Sequence, residues 1–468
     1  MASIATEPGR QPVEVSLVER PGTTRPPMLR SPDARLGWLV GITSFCAYLI
    51  AAGRSYGYDA SVTVGQFIRQ GDPLHALTHA YALNNHVAFS VIESVIWRLG
   101  GRSEAPLRVL PALCAAVTVG LVTTWVAHRH GPLAGMVSGF IMAFVPQTTE
   151  LARDVRGYSL VTLCLTITAM VVVADVRTNR GVEPTVGPHR WDRRHVLVTI
   201  AIALAMGAHL FAAIAVLGIV TWALAADRHA WNRWSQPWIL GAVVGLAIQL
   251  PTLPDVTGAA KLRSGTIVAG LPIRIGRELL GRNLVAITIL SAVVLVAVIG
   301  ARRPGRPAAL ASATAVVVPC SLMWLVVHPT DLYPRFFGWL VPLVAVAVGS
   351  VVGRWPVIAL PIGAAVLSML VAQVPDWSQD PLPNREIVRY FADHPVQGPL
   401  CADRYWGETL MGYDLTTNAM SDPDRVARCG ALIGPVEDWD TPLVVAARSR
   451  MTERITFDSV SGAWFVLR

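Results

Sequence analysis

The feature that most constrains this chain is the separation of its charges from its apolar runs. Uncharged stretches cover roughly residues 36–52, 109–127, 132–148, 158–174, 236–253, 283–300, 308–328, 336–353 and 355–373, and nearly every charge falls in the gaps between them. A helix needs about 20 apolar residues to cross a bilayer. With 53% hydrophobic and only 15% charged residues, against about 25% charged in soluble domains, the pattern excludes a soluble protein for the chain as a whole. One further run, 196–226, is long for a single crossing and short for two; it reads as two short helices joined by a turn near His209. The expectation is an all-α polytopic membrane protein with about 11 transmembrane helices over 36–373, and a small α/β domain over 374–468.

Charge placement orients the spans. Residues 1–35 are Pro-rich and lack an apolar signal core, so they read as a disordered cytoplasmic leader. With the amino terminus inside, the cytoplasmic gaps hold Arg177, Arg180, Arg190, Arg193, Arg194, Arg228, Arg233, Arg302, Arg303 and Arg306, as the positive-inside rule requires. The exported gaps 53–108 and 149–157 are nearly balanced. This bookkeeping holds only if 83–100, which carries His86, Glu93 and Arg98, lies along the surface as an amphipathic helix. An odd number of crossings puts the acidic tail outside a plasma membrane that the chain crosses many times.

One exported loop, 254–282, breaks the pattern. It carries Lys261, Arg263, Arg274, Arg277 and Arg282 against Asp255 and Glu278. Such a loop suits an anionic ligand such as a lipid phosphate. The net charge of +8 does not point to nucleic acid, because no basic amphipathic run or aromatic–basic module accompanies it.

The apolar spans hold almost no ionisable groups near their midpoints, which argues against transport through the bundle centre. Polar residues gather on the exported side instead: Asp59, Asn84-Asn85-His86, Glu150, Arg153-Asp154-Val155-Arg156-Gly157-Tyr158, His209 and Tyr333-Pro334-Arg335. A one-sided belt of this kind suits chemistry on a lipid head group whose tail stays in the bilayer.

These residues carry a resemblance. An acid shortly after the first span, the string from Asn85-His86 through Trp97-Arg98 and Ser103-Glu104 to Arg108 and Pro111, the run Ala152–Leu160, and Tyr333-Pro334-Arg335-Phe336-Phe337 together resemble the GT-C glycosyltransferases of the family 39-like type, which transfer mannose or aminoarabinose. The resemblance covers the membrane part, and the order of the motifs carries it. Two positions depart from the family. Asp59 is followed by Ala60 where an Asp-Glu pair is common, and His86-Val87-Ala88 replaces His-Pro-Pro. The resemblance implies transfer of a sugar, mannose first and pentoses open, from a polyprenyl-phosphate donor to a lipid, glycan or protein acceptor.

On that reading Asp59 is the base that takes the acceptor's proton. Arg156, Arg263 and Arg335, with His209, hold the departing phosphate, since a guanidinium fork can bind two oxygens. His86, Glu150, Asp154 and Tyr158 support the site or bind acceptor, while Arg153 reads as an interfacial anchor that snorkels to water. One carboxylate favours a single inverting displacement, by analogy with glycosidases. No spacing of ligands marks a metal site; a divalent metal beside Asp59 stays open, and no other cofactor is indicated. The alternatives are a transporter or flippase of a lipid-linked intermediate and a non-catalytic envelope assembly protein.

In the tail, Asn384–Ala392 reads as a helix, and Leu443–Ala447 and Ala463–Leu467 as strands. Cys46, Cys114, Cys164 and Cys320 fall in spans, leaving Cys401 and Cys429 outside. In an oxidising compartment those two are expected to form a disulfide.

Overall fold

The computed structural model describes residues 31–53, 55–79, 85–179, 191–253, 288–294, 334–378, 382–402, 407–413, 417–419, 428–435, 442–448, 453–457 and 464–468, with isolated residues between them. The basic loop 254–282 with Arg263, most of the leader, and much of the runs 283–300 and 308–328 lie outside the described residues.

The membrane part opens with α1 (Pro32–Ala51), whose first helical residue is Pro32, where a missing amide costs nothing, with Asp33 behind it in the first turn. There follow α2 (Tyr58–Thr63), which runs into a π turn over Val64–Ile68, α3 (Pro73–Thr78), α4 (Val87–Arg98) and α5 (Glu104–His130). Gly131 then adopts φ +96°, a conformation only glycine takes cheaply, and Pro132 begins α6 (Pro132–Phe144). Next come α7 (Pro146–Arg153), α8 (Tyr158–Thr178), α9 (Arg193–Ala208), α10 (Ala212–Ala226), α11 (Ala230–Gln249), α12 (Leu340–Val352) and α13 (Ala359–Ser378). The break between α9 and α10 falls at His209, where the length of the apolar run requires a turn.

Among the described residues, four helical stretches are long and apolar enough to cross a membrane: 32–51, 104–130, 158–178 and 356–374. Three shorter apolar helices, α6, α10 and α12, accompany them. Trp38, Leu39, Ile42 and Ile50 of α1, and Leu360, Leu367 and Val371 of α13, are exposed. Faces of that kind are stable only against lipid or another apolar surface. Helix α4 is too short to cross; it buries Val87, Phe89, Ser90 and Glu93 and leaves Val95 outward.

The tail is a separate layer. Helix α14 (Asn384–Asp393) precedes a mixed sheet of β1 (Leu400–Ala402), β2 (Asn418–Ala419), β3 (Ala431–Pro435), β4 (Arg454–Phe457) and β5 (Trp464–Leu467), ordered β2-β1-β3-β5-β4. Strand β1 runs parallel to β2 and β3, while β5 is antiparallel to β3 and β4. Both faces of β5 are covered. Trp464 and Val466 pack with Ile387 and Phe391 of α14, and Phe465 and Leu467 pack with Leu432 and Val444. Cys401 and Cys429 are joined in a disulfide.

Leu443–Ala447 is a correction. It lies in α15 (Pro442–Arg448), not in a strand. Pro442 supplies a helix start, and Val444 and Ala447, three apart, are the buried pair. A five-residue apolar run fits either period, and here the helical one prevails.

Candidate active site

Asp59 sits in the first turn of α2, directly beyond the end of α1. Arg156 comes from the tight turn between α7 and α8, where its amide donates to the Asp154 carbonyl at 2.8 Å. Arg335 comes from a short 3₁₀ turn, Pro334–Phe337, that leads into α12. Three segments far apart in sequence thus meet at one carboxylate. Arg156 Nη1 lies 2.7 Å and Arg335 Nη2 2.6 Å from the same oxygen, Asp59 Oδ2. Burial alone would raise the pKa of this carboxyl; the two guanidiniums outweigh it and hold the carboxyl below its ordinary value. Asp59 is therefore ionised throughout the physiological range.

Behind the ion cluster stand two histidines. Arg156 Nε donates to His86 Nε2 at 3.0 Å. Arginine has only donors, so His86 accepts at that nitrogen and carries its proton on Nδ1, which faces the Ala208 carbonyl at 3.2 Å. His209 Nδ1 accepts the Phe211 amide at 3.2 Å, which leaves Nε2 as its donor. Burial, with the nearby guanidiniums, depresses both imidazoles, His86 well below its ordinary value and His209 to about 3. Both rings are neutral, so neither adds a positive charge to the site.

The cluster rests on aromatic faces. The guanidinium carbons of Arg156 and Arg335 lie 5.1 and 5.8 Å from the Tyr158 ring centroid, within range of cation–π attraction. Tyr158 meets His86 edge-on at 4.7 Å and His209 at 5.4 Å, and Phe336 closes the group 4.8 Å from His209. Gly157 is where the turn passes close to His86 and Ala208: a Cβ there would lie 3.2 Å from both side chains.

The structure therefore brings together Asp59, Arg156, Arg335, His86, His209 and Tyr158. Asp154 is half-buried beside them. Burial raises its pKa against the pull of Arg156 and Arg335, and the carboxylates Asp59 and Glu150 add to the rise. Glu150 itself is exposed on α7. Arg263 lies outside the described residues. Arg153 is corrected: it is buried, 8% exposed, not extended to an interface, because it lies on the face of α7 that packs inward with Thr149 and Ala152. Among the described residues no three His, Cys, Asp or Glu side chains gather as a metal site.

Two groups were invisible in the sequence. Phe336 stands in the sequence only as part of a motif, with no signal that its ring packs at a tilt against His209. The contacts of the tail with the loop carrying Asp59, among them Tyr58 to Glu408, join residues some 350 positions apart, and no local pattern announces such a pairing.

A family model described as dolichyl-phosphate-mannose-protein mannosyltransferase matches residues 87–254. Among solved structures, ArnT from Cupriavidus metallidurans bound to undecaprenyl phosphate is similar with a TM-score of 0.62 and 12% identity, covering 92% of this chain and 97% of that one. The apo form of ArnT gives a TM-score of 0.60 at 13% identity, covering 93% and 98%. At that identity the likeness is one of fold. No curated protein matches the sequence.

Proposed function

We propose that this chain, a GT-C superfamily member by fold and by its family match, is a membrane glycosyltransferase that moves a sugar from a polyprenyl-phosphate donor to an acceptor on the exported face. The observation that carries the reading is the convergence of Arg156 and Arg335 on Asp59 Oδ2. The family match to a mannosyltransferase model and the undecaprenyl phosphate bound by similarly folded ArnT support the donor class, and make mannose the first sugar to test. The positive-inside pattern of the sequence supports an orientation with Asp59 and the tail outside the cytoplasm.

Before donor arrives, Asp59 keeps the two guanidiniums in position. A phosphate entering the site competes for the same donors, and charge-assisted bonds to its oxygens stabilise the negative charge that grows as the glycosidic bond breaks. As the arginines turn toward phosphate, the restraint on Asp59 weakens and its affinity for a proton rises. The acceptor hydroxyl then attacks the anomeric carbon, Asp59 takes its proton, and the polyprenyl phosphate leaves with the bonding pair. One displacement of this kind inverts the anomeric centre. His86 orients Arg156 by accepting from its Nε, and His209, uncharged, packs against His86 and Tyr158 beside it.

The test uses membrane vesicles given a labelled polyprenyl-phosphate mannose. Asp59→Asn and Asp59→Ala should leave the protein in the membrane and lower transfer by about 10²–10⁴-fold, the usual scale for losing a general base. Wild-type transfer by either variant removes Asp59 from the mechanism.

A further inference from the structure

Helix α2 has only six residues before its π turn and no side-chain hydrogen bond at its amino-terminal cap. A helix of that length does not hold itself together in isolation. Yet it carries Asp59, whose carboxylate meets two arginines within 0.1 Å of the same distance. Something else must fix its place.

That support comes from the C-terminal domain. The Tyr58 hydroxyl donates to the Glu408 carboxylate. The Ser61 hydroxyl donates to the Thr409 carbonyl, and the Tyr56 amide donates to the Tyr413 hydroxyl at 2.7 Å. Asn384, the first residue of α14, gives its amide to the Tyr56 carbonyl at 3.3 Å and to the Thr409 carbonyl at 2.9 Å. Ser55 Oγ donates to the Leu382 carbonyl at 2.7 Å. These residues are buried: Asn384, Thr409 and Ser61 are fully enclosed and Glu408 is 7% exposed. A buried carboxylate is costly unless a donor meets it, so the Tyr58 contact fixes both partners. Backbone fit is equally tight. A Cβ on Gly65 would come within 2.6 Å of Met411, and one on Gly412 within 3.0 Å of Ser61.

We propose that Glu408, acting through Tyr58, is a positioning residue for Asp59, so that the C-terminal domain is part of the catalytic apparatus and not an appendage to it. The inference rests on the reading of Asp59 as base. Its basis is that Tyr58 precedes Asp59 directly and that Ser55, Tyr56, Tyr58 and Ser61, on both sides of Asp59, all reach partners in the tail. Arg385 of α14 adds a second tie, donating to Glu104 Oε1 at 2.9 Å and to the Gly53 carbonyl. Asn384 and Tyr413 hold the backbone just ahead of Asp59, while Glu408 holds the adjacent side chain.

A misplacement of about 1 Å at a reacting group costs on the order of 10²-fold in rate. Tyr58→Phe and Glu408→Ala should therefore lower kcat by about 10- to 100-fold while donor KM stays within about twofold, because the arginines and His86 are untouched. Glu408→Gln, which retains an acceptor for the Tyr58 hydroxyl, should restore most of the rate. Rates are taken per donor-binding site, so misfolded protein does not count; Tyr58→Phe, which removes one oxygen, serves if Glu408→Ala fails to fold. Wild-type kcat in Tyr58→Phe with an inactive Asp59→Asn overturns the positioning role and leaves the base in place. A loss in Glu408→Gln as deep as in Glu408→Ala also overturns it. Activity retained in Asp59→Asn is a separate failure, that of the base itself.

Discussion

Two clusters of aspartate, arginine and aromatic ring sit at different places in the membrane part, and they are built with opposite ratios. At Asp59, two guanidiniums meet one carboxylate oxygen over the face of Tyr158. At Arg233, one guanidinium is shared by two carboxylates: Nε lies 2.8 Å from Asp175 Oδ2 and Nη2 lies 2.7 Å from Asp227 Oδ2, and Trp234 Nε1 also donates to Asp175 at 2.9 Å. Accessibility differs as well. Asp59 and Arg335 side chains are 25% and 27% exposed, with Arg156 enclosed behind them at 5%, whereas Arg233, Asp175 and Asp227 are 12%, 9% and 3% exposed. The second cluster ties the end of α8 to the start of α11 and is closed. The first has cations in excess and remains open, which is what an incoming phosphate requires.

The largest effect that separates the two follows from removing an arginine. Arg156→Ala and Arg335→Ala should each lower kcat/KM for the lipid-linked donor by about 10²–10³-fold, the cost of a lost donor to developing charge, with acceptor KM little changed. Arg233→Ala should instead leave two buried carboxylates without their cation and destabilise the fold by about 3–5 kcal/mol. Its kcat and donor KM per folded molecule should match the wild type. A donor defect in Arg233→Ala equal to that of Arg335→Ala would erase the distinction between site and brace.

Much of the frame behind these clusters was readable from composition, because partition between water and lipid acts on each segment locally. The edges of α1, α5 and α8 follow the charges, and the interruption at His209 follows from a run too long for one crossing and too short for two. The run Arg153–Tyr158 was readable as a polar turn with Arg156 in the site and Arg153 outside it, but Arg156's choice of Asp59 and His86 as partners was not. That choice depends on the turn geometry, in which Arg156 points to Asp59 and His86 while Arg153 is buried on α7. The support from Asn384, Glu408 and Tyr413 was not readable at all, since its partners lie on short segments more than 300 residues apart whose pairing depends on domain docking. Leu443–Ala447 failed for a different reason: five apolar residues do not specify a period.

A third carboxylate sharpens the comparison by having no arginine. Glu93 on α4 is fully buried, and neither of its oxygens has a hydrogen-bond partner among the described residues. Burial pushes its pKa up to about 9. A carboxyl whose folded pKa lies above its unfolded one binds a proton more tightly in the native state. Its contribution to stability is therefore largest below the unfolded value near 4.5 and is lost as pH rises toward about 9. Glu93→Gln removes that titration. The variant should melt higher than the wild type at pH 8 and show little difference at pH 5, the gap at pH 8 being of order a few kcal/mol. A loss of stability in Glu93→Gln at pH 8 that fades at acid pH would instead mean that Glu93 is ionised and paired, as Asp59 is.

The smallest effect tests how each cluster uses its ring. At the open cluster the Tyr158 face supports both guanidiniums, and each contact is worth about 0.5–1 kcal/mol. Tyr158→Phe keeps that face and should leave donor kcat/KM within about twofold, whereas Tyr158→Leu should lower it about 5- to 20-fold. At the brace the ring acts through its N–H. Trp234→Phe should cost about 1–3 kcal/mol of stability by leaving Asp175 short of a donor, with no change in donor use. Aromatic residues beside paired charges thus serve by face in one place and by edge in the other. If Tyr158→Phe loses as much as Tyr158→Leu, the hydroxyl and not the ring is what matters, and Tyr158 then belongs with the groups that touch substrate.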